Sequence, residues 1–128
     1  MDTLEFLQRV LPDEGMYCAA VLYKDVGDMK QYFFEDKAEL ADFLLNKSAD
    51  GDDTYYAISS FKSKKRSQVN VLQTKVVAFD IDCNKVRNSY ASKKEALAAL
   101  SSFIKTAGMP KPTIVSSGMG LHVYWVFD

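Results

Sequence analysis

Apolar and polar residues alternate along this chain in two rhythms, one helical and one extended. Leu4, Leu7 and Leu11 recur at helical spacing, and Asp2 with Glu5 forms a capping box, so 2–11 is predicted to be a helix. Pro12 to Gly15 break it. Met16 to Lys24 is an apolar strand, Asp25-Val26-Gly27-Asp28 a turn, and Met29 to Phe34 a second strand, together a hairpin. Asp36 and Glu39 open another helix with Leu40, Phe43 and Leu44 on its apolar side, fading into a polar loop at Asn46 to Asp53. Thr54 to Phe61 is a third strand, and Gln68 to Leu72 a short helical turn. Lys75 to Asp82 is again extended. Ser92 and Glu95 cap a helix that runs through Ala107, with Ala96, Leu100, Phe103 and Ala107 on one face, and Gly108, Pro110 and Pro112 stop it. Thr113 to Ser116 and Leu121 to Phe127 are two further strands; the second sets Val123, Trp125 and Phe127 against His122, Tyr124 and Val126.

The pattern predicts an α+β protein. Residues 1–74 read as an α–β-hairpin–α–β module, and 75–128 as the β-α-β-β beginning of a ferredoxin-like or RNA-recognition-motif-like palm. Both are expected to belong to one domain that stops before a final helix and strand. A sheet left unclosed in this way exposes an edge, which predicts a homodimer through that edge.

Composition narrows the class. The chain has 128 residues, 48% hydrophobic and 26% charged, as in a soluble globular domain. No apolar run approaches the roughly 20 residues that span a bilayer, so no membrane association is expected. Cys18 and Cys83 lack a partner at zinc-ligand spacing and read as reduced thiols of a cytoplasmic protein.

The net charge of −1 conceals an asymmetry. Residues 1–53 hold 13 acids and 5 basic residues; residues 54–128 hold 4 acids and 11 basic residues. Between Thr54 and Phe79 there is no acid, while Lys62, Lys64, Lys65, Arg66 and Lys75 all fall there. A basic field around a small acidic centre suits a polyanion brought to a metal. An ordinary solvated loop would carry the same residues.

The acidic centre is Asp80 and Asp82, at the end of Val76-Val77-Ala78-Phe79-Asp80-Ile81-Asp82. Strand alternation puts both carboxylates on one face, with Val77, Phe79 and Ile81 on the other. Two like charges so close disfavour each other's ionisation unless a cation lies between them. Two carboxylates on one rigid strand can cradle Mg²⁺ or Mn²⁺, which keep positions open for phosphate oxygens. Solvated acids at a strand end are the plainer alternative. A second cluster is Ser116-Ser117-Gly118-Met119-Gly120, followed by His122, the only histidine. Such a glycine-rich turn exposes backbone N–H groups that can hold phosphate, or it is simply a hairpin.

Taken together, Phe79-Asp80-Ile81-Asp82, the helix after Tyr90-Ala91-Ser92, and Pro112-Thr113-Ile114-Val115-Ser116-Ser117-Gly118-Met119-Gly120-Leu121-His122-Val123-Tyr124-Trp125 resemble the archaeo-eukaryotic primase superfamily. The likeness is greatest to replication primases and primase-polymerases of phages and plasmids, and covers about residues 54–127. It implies a DNA replication primase core that transfers nucleotides from NTP or dNTP onto a primer along a DNA template. Asp80 and Asp82 would be the metal-binding catalytic acids. His122, also in the catalytic set, would contact the triphosphate, with Ser117, Gly118 and Gly120 shaping the nucleotide pocket. A replicative helicase domain or protein is a common partner in such systems, and a phage- or plasmid-encoded protein in a bacterial host is implied. Lys62, Lys64, Lys65, Arg66 and Lys85 are nucleic-acid-binding candidates on charge alone. The family's third carboxylate has no clear counterpart, since Asp128 follows the second motif too closely. Gly120 also stands where some members carry serine. An alternative function is therefore a nucleic-acid- or nucleotide-binding module without chemistry. A rolling-circle nuclease would need a pair of metal-binding histidines, and the chain has one histidine.

Overall fold

The computed structural model describes residues 1–83, 89–118 and 120–127. They fold into three helices and two antiparallel sheets, an α+β architecture. The chain divides into two compact units, Met1–Lys75 and Val76–Asp128.

In the first unit, α1 (Thr3–Val10) starts where the Asp2 carboxylate accepts the Glu5 N–H at 2.8 Å. β1 (Met16–Tyr23) and β2 (Asp28–Phe34) form the hairpin, α2 spans Lys37–Ala49, and β3 spans Asp53–Phe61. A 3₁₀ turn, Gln68–Asn70, leads into β4 (Val71–Thr74). The sheet order is β2-β1-β3-β4. One face carries Tyr32, Phe34 and Tyr56, which meet Phe43 of α2 and Phe6 of α1. Leu7, Val10, Leu11, Val21, Leu40 and Leu44 fill the core.

Two expectations needed correction here. α2 does not fade at Asn46 but continues to Ala49, because Asn46 and Ser48 supply backbone carbonyls to its last turn, bonded by the N–H groups of Asp50 and Gly51. β4 was not foreseen. Its four residues are mostly exposed, and they become a strand only by pairing with β3, Ser59 against Thr74 and Ser60 against Gln73.

The second unit runs β5 (Val76–Asp82), α3 (Lys93–Ala107), β6 (Thr113–Ser117) and β7 (Gly120–Val126). Sheet order is β5-β7-β6, so the last strand lies between the other two and is antiparallel to both. α3 begins with the Ser92 hydroxyl accepting the Glu95 N–H and ends at Gly108, whose φ of 66° is the left-handed conformation glycine adopts freely. It packs on one face through Ala96, Leu100 and Ile104 against Leu121, Val123 and Trp125. The Trp125 indole N–H donates to the Pro110 carbonyl at 2.8 Å. Phe103 and Ala107, expected on the apolar face, are exposed. The stripe that meets the sheet steps by four residues, 96, 100 and 104, and Phe103 falls to its side.

Cys18 and Cys83 are free and buried, and burial pushes the Cys18 thiol up from its ordinary range. Among the described residues, no helix is long and apolar enough to cross a membrane.

The packing of α3 predicts a contrast. Leu100→Ala should cost about 2–5 kcal/mol of unfolding free energy, while Phe103→Gln should stay within about 0.5 kcal/mol. Denaturant titration of the two variants checks it.

Candidate functional site

β7 brings the two motifs together. Asp80 pairs with His122, and Asp82 with Gly120, across the β5–β7 ladder. On the other side of β7, His122 pairs with Val115 and Gly120 with Ser117. Two adjacent rows therefore cross the sheet, Asp82–Gly120–Ser117 and Asp80–His122–Val115. Directly paired residues project to the same side, so both rows share the face opposite α3. Residues about 40 positions apart in sequence become neighbours in this way.

The site is open to solvent. Asp80 and Asp82 are both exposed, and the Asp80 side chain keeps 68% of its accessible surface. Nε2 of His122 lies 3.5 Å from Oδ1 of Asp80, a contact that becomes an ion pair when the ring is protonated. Exposure explains how two like charges stand on one strand: water solvates both.

Gly120 is fixed by its neighbours. A Cβ there would fall on the Ile81 carbonyl oxygen and crowd Asp82 Cα at 3.2 Å. Glycine thus lets β5 approach β7 closely at Asp82, and no side chain stands between Asp82 and Ser117. Its φ is not in the left-handed range, so close approach rather than turn geometry demands glycine here. Nothing lies within 4 Å of the position a Cβ would take on Gly118. Met119, between them, lies outside the described residues.

One polar residue of this region was missed in the sequence. Lys93, the first residue of α3, directs its ammonium to Ser116 Oγ and to the Ser117 carbonyl, each at 2.6 Å. It reaches the turn from the helix side, because Ser116 pairs with Leu121 of the core face. Only the topology brings a helix start to a strand end, so local sequence carried no signal. Nearby, the Tyr90 N–H returns to the Asp82 carbonyl at 3.2 Å.

The donor set suits a hard divalent cation only in part. Two strand-borne carboxylates supply oxygen ligands of the kind Mg²⁺ or Mn²⁺ takes. Among the described residues, no group of three or more His, Cys, Asp or Glu could hold a metal. Asp128 lies outside the described residues, as does Lys85. The other basic candidates, Lys62, Lys64, Lys65 and Arg66, are exposed on the loop after β3, in the Met1–Lys75 unit.

No protein-family model matches the chain, and comparison with curated proteins and with solved structures gives no match.

The close approach at Gly120 generates a prediction. Gly120→Ala should push β5 from β7 and cost about 1–3 kcal/mol, whereas Gly118→Ala should be nearly neutral, within about 0.5 kcal/mol. Thermal melting of both variants, followed by ellipticity, tests this.

Proposed function

We propose that this chain is the core of a metal-dependent nucleotidyltransferase of the primase or primase-polymerase kind, working on a nucleic-acid template. The observation that supports it is the placement of Asp80, Asp82, His122 and the Ser117–Gly120 pair in two neighbouring rows on the sheet face opposite α3, with both carboxylates exposed. Asp80 and Asp82 would hold Mg²⁺ or Mn²⁺, which supplies charge neutralisation for phosphate oxygens and polarises a hydroxyl. In the transfer, the primer 3′-hydroxyl oxygen would bond to the α-phosphorus as its proton passes to water, and the bond to the departing pyrophosphate would break.

His122 lies beside the acids rather than behind them, so its ring can donate a hydrogen bond to a phosphate oxygen held over the same face. Ser117 offers a hydroxyl across Gly120 from Asp82. Lys93 holds the Ser117 carbonyl and so keeps the turn in place. The strands fix all these groups relative to one another before any ligand arrives, which is what positioning requires.

The two-acid donor set favours a second reading, a module that binds nucleotide or nucleic acid without chemistry. The two readings part on metal dependence.

Calorimetry with Mn²⁺ and a nucleoside triphosphate should show metal-dependent binding that Asp80→Ala/Asp82→Ala abolishes. His122→Ala should weaken nucleotide binding roughly tenfold or more, as loss of a charge-assisted hydrogen bond does. Equal, metal-independent binding by the unaltered chain and the double variant would instead establish the binding module.

A further inference from the structure

The four-stranded sheet has a second face, turned away from α1 and α2, that the nucleotide-transfer reading leaves without a role. Across it run Gln31, Ala20 and Tyr55 in one row, and Cys18 beside Phe33 in the next. Small residues sit at its centre and large ones at its margin. Cys18, Ala20 and Ala57 therefore floor a hollow of about 350 Å³, with Met29 and Tyr55 among its walls. A second hollow of about 590 Å³ lies beside it, lined in part by Ile58, Phe61, Ser67 and Val71. Arg66 borders both. Its guanidinium is close enough to Cys18 to draw that thiol's titration downward, against the larger effect of burial.

We propose that this face of the Met1–Lys75 unit is a groove for single-stranded nucleic acid, with Tyr55 as a stacking platform for a base and Arg66 as the cation between two base sites. Three observations carry it. Tyr55 is 49% exposed and Met29 54%, on a sheet face that no helix of the unit covers. Flat aromatic surface on an open sheet is what unpaired bases stack on. The rim is basic: Lys62, Lys64 and Lys65 precede Arg66, and no acid occurs from Thr54 to Phe79. Asp53, at the far end of β3, is neutralised by Lys24 at 3.3 Å.

The basic loop also has a defined shape. The Asn70 side-chain amide donates to the carbonyls of Ser63 at 3.0 Å and Lys65 at 2.6 Å, while the Ser63 hydroxyl donates to Asn70 Oδ1 at 3.1 Å. The Asn70 carbonyl in turn accepts the Lys62 N–H at 2.8 Å. Ser67 lines the second hollow, and its hydroxyl oxygen is buried without a hydrogen-bond partner. A duplex keeps its bases stacked on each other and cannot offer them to Tyr55, so charge and shape together select a single strand. The groove needs neither Asp80 nor a triphosphate, and it goes beyond the reading above in that respect.

Fluorescence anisotropy of a labelled oligothymidylate of roughly twelve nucleotides, titrated with the full chain, tests the proposal. Tyr55→Ala should weaken binding roughly five- to hundredfold, the range expected for one lost stack. Tyr55→Phe should bind like the unaltered chain, because stacking does not use the hydroxyl. Arg66→Ala should bind more weakly and lower the salt slope by about one. Asp80→Ala/Asp82→Ala should bind unchanged, so that loss of the metal site and loss of the groove are told apart. Three results would overturn the groove: no binding by the unaltered chain, unaltered affinity in Tyr55→Ala, or a duplex of the same length bound as tightly as the single strand. If the second result came with affinity lost in the Asp80/Asp82 variant, the strand would be placed on the other unit.

Discussion

The backbone ladder around β7 is the constraint on which the candidate site rests. β5 and β6 each pair with β7, and its register alone decides which side chains meet. A slip of one residue would turn Asp80 and Asp82 toward α3, where Ala96, Leu100 and Trp125 offer no solvation. It would also turn the apolar positions Phe79 and Ile81 outward. The penalty for burying two carboxylates beside hydrocarbon is far larger than any single ladder bond, so the hydrophobic face fixes the polar one.

That arrangement separates duties between the two faces of one thin sheet. The side against α3 supplies cohesion, with Leu121 and Val123 fully buried. On the opposite side, the end that carries Asp80 and Asp82 is left to groups that water can reach, while Val76 and Tyr124 farther along it are buried. Asp82 and Gly120 show how tightly the two demands are joined. The strand carrying the acid must come within contact of its neighbour, and only a residue without a side chain permits it. A position that looks like turn chemistry in the sequence is therefore a packing requirement between strands.

Much of this was legible beforehand, and the gaps have physical causes. Capping boxes at Asp2 and Ser92 marked helix starts correctly, because the caps are local hydrogen bonds that the sequence spells out. The strands that carry the two motifs were also found within a residue or two, since their alternation is strong. β4 was missed because its stability comes from β3 rather than from its own residues. The buried stripe of α3 was misjudged at Phe103, because hydrophobicity says that a residue could be buried and only the partner surface says whether it is. Lys93 escaped for the same reason: its partners are more than twenty residues away. The face shared by Asp80 and Asp82 followed from strand periodicity, whereas their row-by-row pairing with Gly120 and His122 needed the fold.

Trp125 is the chain's one tryptophan, and its surroundings give it an optical meaning. Its ring is 2% exposed, bonded to the Pro110 carbonyl, and meets Phe79 edge-on at 5.4 Å between centroids. Phe79 is the residue just before Asp80. Indole emission from this molecule therefore comes wholly from the Val76–Asp128 unit, from a chromophore in contact with the acid-bearing strand. Far-ultraviolet ellipticity averages both units, while tryptophan fluorescence watches only the one with the carboxylates. The molecule carries its own label for separating the melting of its two halves.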